Sequence, residues 1–241
     1  MAHNLRNATA LVTGAGRGIG RAICLALADA GTHVFAAART EDEIKAVADE
    51  IIESGGNATA IPADVADEDQ VSALFSEIRG RQRRLDILIN NAGIGIYGPV
   101  VDTSAADLDR ILAVNVRGTF LCSREAMKLM IPQESGYIIN IASVVGFKGY
   151  PNQAVYTAGK HAVMGLTKSL AVEAQRYGIR VSAILPGGVD TDLVRRSRPD
   201  LDASVLMHPE DIAHAVMYLL SLSDRAAVDQ IYIRRRAAKP F

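Results

Sequence analysis

The chain has 241 residues, 49% of them hydrophobic and 22% charged, with a formal net charge of −1, which suits a soluble α/β domain with a sizeable core. That balance gives no global attraction to nucleic acid or anionic lipid, and no apolar run approaches the ~20 residues that span a bilayer. Cys24 and Cys122 sit in apolar helical patterns without the spacing of a metal site or a disulfide framework, so no metal is expected and a reduced, cytoplasmic setting is, with no secretory leader at Met1-Ala2-His3-Asn4.

Ala8 to Thr13 is an apolar run that breaks into glycine, as a buried strand does. Gly14-Ala15-Gly16-Arg17-Gly18-Ile19-Gly20 follows, then a helical pattern from Arg21 to Ala30 with Gly31 as its stop. Strand, glycine turn and helix in that order offer backbone N–H groups and a helix N-terminus to a phosphate. The pattern is Gly14-x-x-x-Gly18-x-Gly20 and departs from G-x-G-x-x-G at Ile19. A bare turn needing φ > 0 would use the same glycines, but the place after the first strand favours a dinucleotide site.

His33 to Ala38 is the second strand, and Arg39-Thr40 ends it. A site that prefers NAD places an acid about 20 residues beyond the glycine turn, to hold the ribose 2′-hydroxyl. Here that place holds Ala37, Ala38 and Arg39. A guanidinium pairs bidentately with a 2′-phosphate, and Arg17 in the glycine loop reaches toward the same group, so NADP is favoured over NAD.

Glu41 to Glu53 reads as a helix and Ala58 to Pro62 as the third strand, followed by Asp64-Val65. Asp64 either accepts an adenine amino group or caps the next helix. That helix is expected over Asp67 to Ile78, with Gly80 to Arg84 as a basic connector. Leu85 to Ile89 is the fourth strand, ended by Asn90-Asn91-Ala92-Gly93. Alternation of this kind argues for parallel βαβ units.

A helical stretch begins at Thr103, with Ile111, Leu112 and Val114 as its apolar stripe, and Asn115 interrupts it. Burying an amide unsatisfied costs roughly 1–3 kcal/mol, so Asn115 answers either a helix distortion or a chemical need. Phe120 to Ile131 continues as helix until Pro132. Tyr137 to Ala142 is a buried strand that sets Ser143 at its end, and Gln153 to Tyr177 is a long helix stopped by Gly178. Tyr156 and Lys160 lie one turn apart on one face of it. An ammonium there stabilises a phenolate and pulls the tyrosine pKa down from about 10. Hydroxyl, phenol and ammonium together make a site that polarises a carbonyl and hands it a proton.

Ile179 to Leu185 is the sixth strand, and Pro186-Gly187 turns the chain off its end. The stretch from about 190 to 208 follows a strand's carboxyl end, where open α/β sheets bind ligands, and reads as a substrate loop. Its arginines, Arg195, Arg196 and Arg198, either meet an anionic substrate tail or are solvated. Pocket walls are expected from Ile94 to Tyr97, Val144 to Tyr150 and Val189 to about Met207, with Phe147 and Tyr150 as apolar lining. Pro209 to Leu222 is a helix, Val228 to Ile233 a last strand, and 234–241 a basic tail expected to fray. With no repeat or linker, residues 1–241 read as one domain.

These residues resemble the short-chain dehydrogenase/reductase family in its single-domain branch, including 3-oxoacyl-[acyl-carrier-protein] reductase-like members, from about Asn7 to Ile233. Thr13 to Gly20 matches the family's cofactor turn, and Asn90-Asn91-Ala92-Gly93 its strand-four motif. Asn115, Ser143, Tyr156 and Lys160 match its catalytic tetrad, and Pro186-Gly187 with Thr191 the segment around the nicotinamide. The resemblance implies a Rossmann-like, doubly wound sheet of seven mainly parallel strands, with helices on both faces and NAD(P) across the strands' carboxyl ends. It implies that Thr13, Gly14, Arg17, Gly18, Ile19, Gly20, Arg39, Asp64 and Val65 bind the dinucleotide. Asn91, Ala92, Gly93, Pro186, Gly187, Val189 and Thr191 do so too, with Tyr156 and Lys160. Tyr156 would exchange the proton, Lys160 would lower its pKa, Ser143 would hold the substrate oxygen and Asn115 would hold a relay water.

The implied activity is NADP-dependent reduction of a ketone or aldehyde, a 3-oxoacyl thioester among them. The alternatives are an alcohol dehydrogenase working oxidatively and a cofactor sensor or scaffold without turnover; the complete tetrad speaks against the last. The implied partners are a small-molecule carbonyl or alcohol and further copies of the chain, as homodimer or homotetramer. The C-terminus departs from the family pattern, since Asp229-Gln230-Ile231-Tyr232-Ile233 runs into three arginines, which puts tetramer formation by that surface in doubt.

Overall fold

The computed structural model describes residues 5–197 and 201–239. Seven strands, β1 (Thr9–Thr13), β2 (His33–Ala38), β3 (Asn57–Pro62), β4 (Ile87–Asn90), β5 (Gly136–Ile141), β6 (Ile179–Pro186) and β7 (Gln230–Ile233), form one sheet. Their order is β3-β2-β1-β4-β5-β6-β7, and every neighbouring pair is parallel. Parallel strands covered on both faces read as continuous apolar runs, which is why β1, β4 and β5 are buried at every position. The order reverses between β1 and β4, and an α/β sheet opens its ligand crevice at such a reversal.

The helices are α1 (Gly18–Asp29), α2 (Glu41–Glu53), α3 (Glu68–Gln82), α4 (Ala105–Ile111), α5 (Gly118–Gln133), α6 (Ala154–Gln175), α7 (Asp192–Ser197) and α8 (Pro209–Ser221). One large cluster joins α1, α2 and α8 to one face of the sheet, and another packs α3, α5 and α6 on the opposite face. Among the described residues no helix is long and apolar enough to cross a membrane.

Three elements differ from expectation. Helix α3 runs through Gly80 to Gln82, with Arg79 and Arg81 in its last turn and Arg83 left-handed at φ 57°. Basic side chains there complement the helix dipole, so the expected connector is helical. Helix α5 absorbs Pro132 one residue from its end, at the cost of the N–H that would bond the carbonyl four residues back. The basic tail curls on itself from 234 to 238: the Arg234 guanidinium donates to the carbonyls of Arg235 (3.1 Å), Arg236 (3.2 Å) and Ala238 (2.7 Å). Arg198 lies outside the described residues.

A buried polar chain fixes α5 and α6 against the sheet. Asn90 Nδ2 donates to Ser123 Oγ (3.0 Å) and to Asn140 Oδ1 (2.9 Å). Asn140 Nδ2 donates to Thr167 Oγ1 (2.8 Å), whose hydroxyl donates to the Val163 carbonyl (2.7 Å). Removing Asn140 strands polar atoms on both neighbours. Asn140→Ala is therefore expected to lower unfolding free energy by about 1–3 kcal/mol, measured by chemical denaturation; an unchanged midpoint would contradict the account.

Candidate active site

A cleft of about 770 Å³ runs along the carboxyl ends of the strands, from the glycine turn to Ser143, Tyr156 and Lys160. At its first end the turn after β1 needs glycine: Gly14 and Gly18 have φ of +62° and +53°, a region that side chains with a Cβ resist. A Cβ at Gly20 would stand 2.1 Å from the Gly14 carbonyl oxygen, so the turn folds flat onto the start of α1. Thr13 Oγ1 accepts from the N–H groups of Asn91 and Ala92, both at 3.1 Å. Asn91 Nδ2 donates to the carbonyls of Thr13 and Gly14, both at 3.0 Å. These bonds brace the turn across the β1–β4 crevice.

Gly14, Arg17, Gly18, Ile19, Arg39, Asp64, Val65, Asn91, Ala92 and Gly93 line the cleft, as do Pro186, Gly187, Val189 and Thr191. Thr13, Gly20 and Asn115 stand buried behind its wall. Arg17 and Arg39 are 57% and 65% exposed, and both face carboxylates. Arg17 Nη1 is 2.6 Å from Glu43 and its Nε 3.5 Å from Asp192, while Arg39 stands 3.9 Å from Asp64. Glu43 is a lining residue that sequence reasoning passed over. Its signal was its place in the first turn of α2, directly after Arg39-Thr40.

At the other end β5 delivers Ser143, which caps a 3₁₀ turn over Val144–Gly146 by accepting from the Val145 N–H at 3.3 Å. That turn lies on α6, where a Cβ at Gly146 would be 3.0 Å from the Lys160 carbonyl oxygen. The close approach sets the Ser143 hydroxyl near the Tyr156 phenol. Lys160 is buried, donates from Nζ to the Ile141 carbonyl at 2.9 Å, and sits 5.9 Å from the centre of the Tyr156 ring.

Burial acts on both partners. It pushes Tyr156 up, with neighbouring Tyr97 adding to the rise and the Ser143 hydrogen bond opposing it. The helical spacing alone suggests the opposite direction, because spacing reports a neighbouring ammonium and not the loss of water. Burial lowers Lys160 from 10.5 to about 8, so it is charged at neutral pH. In Cys122 burial pushes the thiol up to about 12, and Cys24 is raised by the same cause, so neither is a nucleophile. Among the described residues no cluster of His, Cys, Asp and Glu could hold a metal ion.

Asn115 lies in a π-helical turn, Leu112–Arg117, between α4 and α5. Its Oδ1 accepts from the Ile94 N–H (2.8 Å) and its Nδ2 donates to the Ile94 carbonyl (2.9 Å). The amide is thus satisfied by the Ile94 backbone and fixes the strip after Gly93. A Cβ on Gly93 would stand 3.3 Å from Asn115 Oδ1 and 3.7 Å from Lys160 Nζ, so this strip passes between the two.

Of the expected walls, Ile94, Gly95 and Tyr97 line the cleft, as do Val189 and Leu193 to Arg196 from the stretch after Val189, while none of Val144 to Tyr150 does. Phe147 is turned away: it is 61% exposed and meets Tyr232 edge-on. Arg195 holds Asp190 through two hydrogen bonds of 2.7 and 2.8 Å.

The family model for short chain dehydrogenase matches residues 8–202. The chain is 43% identical over 192 residues to a 3beta-hydroxysteroid dehydrogenase of Mediterraneibacter gnavus, covering 79% of this chain and 69% of the relative. It is 40% identical over 216 residues to a 3-oxoacyl-[acyl-carrier-protein] reductase of Synechocystis sp., covering 87% of each. Among solved structures, a metagenomic short-chain oxidoreductase in complex with NADP superposes with a TM-score of 0.86 at 33% identity, covering 98% of this chain and 100% of that one.

The Lys160 shift carries a stability signature. Between about 8 and 10.5 the folded chain binds fewer protons at this site than the unfolded chain, so stability rises with pH across that window and falls as pH drops through about 8. Lys160→Met lacks the group. Its stability advantage over wild type is expected to shrink as pH rises from about 8 to 10.5, followed by urea denaturation; a constant difference would contradict the burial assignment.

Proposed function

Because the chain belongs to the short-chain dehydrogenase/reductase family, whose members are oxidoreductases that bind a nicotinamide cofactor, we propose that it is an NADP-dependent reductase of a ketone or aldehyde with Tyr156 as proton donor. The observation that carries this reading is the pairing of two ends on one cleft. A glycine turn flanked by Arg17 and Arg39 lies at one end, and Ser143 with Tyr156 above buried Lys160 at the other.

NADPH bound along this cleft would supply the hydride. Gly14, Arg17, Gly18, Ile19 and Gly20 form the phosphate turn, with Arg17 and Arg39 placed to meet a 2′-phosphate. Ala92, Gly93, Val65, Pro186, Gly187, Val189 and Thr191 form the rest of the bed, with Thr13 and Asn91 bracing it and Asp64 at its adenine end. Ser143 and Tyr156 hydrogen-bond the substrate oxygen and favour it as it gains charge. Tyr156 then gives up its proton. A phenol that burial holds protonated is loaded for reduction, and the phenolate left behind is stabilised by the Lys160 ammonium. Asn115 holds the Ile94 backbone against this pair as a positioning residue.

The Synechocystis relative's name supports a 3-oxoacyl thioester as one substrate class. Apolar side chains left exposed on α5 and α6, Phe120 and Val172, support association of copies through these helices, as homodimer or homotetramer, in the cytoplasm.

Tyr156→Phe is expected to lower carbonyl reduction by about 10²–10⁴-fold while NADPH still quenches or enhances its own fluorescence on binding; undiminished turnover would overturn the proton-donor role. For the cofactor, Arg39→Asp is expected to weaken NADPH far more than NADH. Glu43→Gln, which releases Arg17, is expected to tighten NADPH selectively. Equal changes for both cofactors in titrations would remove the arginines from the 2′-phosphate site.

A further inference from the structure

Beyond Ser143 the chain leaves its 3₁₀ turn through Phe147 and Lys148 and passes Tyr150 before α6 begins. The Lys148 ammonium lies over two aromatic rings at once: Nζ is 5.6 Å from the centre of Tyr150 and 5.7 Å from that of Tyr232 on β7. Phe147 meets the Tyr232 ring edge-on, with centres 6.3 Å apart at 72°. Two rings from segments far apart in the chain thus flank one cation, and a third extends their wall. The place is beside the reacting end of the cleft, since Tyr232 packs against the cluster of Ile111, Val144, Val145 and Tyr156. Phe147 and Tyr150 are 61% and 41% exposed, so solutes can reach the rings.

A lysine that only lays its stem along apolar surface keeps its ammonium in water. Lys148 instead holds its ammonium against the rings. Among the described residues no carboxylate is paired with it, and Tyr232 and Tyr150 raise its pKa. Both distances stand near the outer limit of about 6 Å for cation–π attraction. An ammonium is strongly hydrated through three N–H donors, so it sits loosely between two rings. A quaternary ammonium has no N–H to hydrate and presents methyl groups on every side. It gives up less water and fills the same gap with close contact. The loop leaves the lysine room to withdraw, because a Cβ at Gly149 would meet nothing within 4 Å.

We propose that Phe147, Tyr150 and Tyr232 form a binding site for the quaternary ammonium group of a small molecule, with Lys148 as the internal cation that the ligand displaces. The ligand class is a trimethylammonium compound such as choline. The site follows from rings and charge alone and does not depend on the reductase reading. Lys148 and Tyr150 act on affinity in opposite directions. The lysine competes for the rings and repels a second cation, whereas the tyrosine supplies one of the two faces.

The test titrates the full chain with choline, followed by broadening of its N-methyl proton signal, with 3,3-dimethylbutan-1-ol as the uncharged isostere. Wild type, Lys148→Met and the double variant Lys148→Met/Tyr150→Leu are compared. Tyr232, which packs inward, is left in place so that all three proteins keep their core. The expected result is choline binding about 2- to 30-fold tighter in Lys148→Met than in wild type, and a loss of similar size when Tyr150→Leu is added. The isostere is expected to show neither change. Choline binding that is absent from all three proteins, or no tighter in Lys148→Met, overturns the proposal. Equal gains for choline and its isostere overturn it too, since the rings would then offer apolar contact alone. Turnover plays no part in this readout, so its failure leaves the reductase reading standing.

Discussion

The site depends on one buried charge. Lys160 carries its ammonium into the protein on α6, donating to the Ile141 carbonyl at 2.9 Å with the Tyr156 ring beside it. Water would solvate that charge better, and its lowered pKa records the difference. The surrounding fold tolerates the strain because α6 is held independently of the lysine. Gly159 lets α6 close onto Ile111 and the π-turn, Gly146 docks the Ser143 turn on the other side, and the Asn90–Asn140–Thr167 chain ties the same helix to β4 and β5. A charge held this way cannot move to meet a phenolate. It must already stand where one will form, which is the condition for electrostatic stabilisation without reorganisation.

The far end of the cleft is organised in the opposite manner. Arg17 and Arg39 are exposed and share their surroundings with Glu43, Asp64 and Asp192. Surface pairs of this sort contribute little to folding, so they are free to exchange partners. An incoming dianionic phosphate would compete with Glu43 for Arg17. On the proposed reading, selectivity between NADP and NAD would reflect a balance among acids and guanidiniums, and not the arginines alone.

Much of this was legible in the chain. Parallel strands covered on both faces announce themselves as apolar runs, as β1, β4 and β5 do, and all seven strands fall where runs were read in the sequence. Sequence was less informative where a local rule met a tertiary context. Gly80 does not stop α3, whose last turn carries Arg79 and Arg81, and α5 continues through Pro132 to one residue beyond it. The curl of Arg234 onto the carbonyls of its own tail has no signal in the sequence. Asn115 left two readings open, and its amide is satisfied by the Ile94 backbone, 21 residues away in the chain. The direction of the Tyr156 shift, the Arg17–Glu43 pair and the contact of Tyr97 with Tyr156 all need distances between segments far apart in sequence or the exclusion of water. A linear pattern carries neither.

The central claim is that hydride and proton reach a carbonyl at the Ser143–Tyr156–Lys160 end of this cleft. It is tested most directly by turnover of a ketone with NADPH deuterated at the transferring carbon, in ordinary water, followed by mass spectrometry and NMR of the alcohol. The account predicts one deuterium on the carbinol carbon, placed with a single stereochemistry, and none elsewhere. Alcohol formed without that deuterium, or with it distributed over both faces, would contradict it.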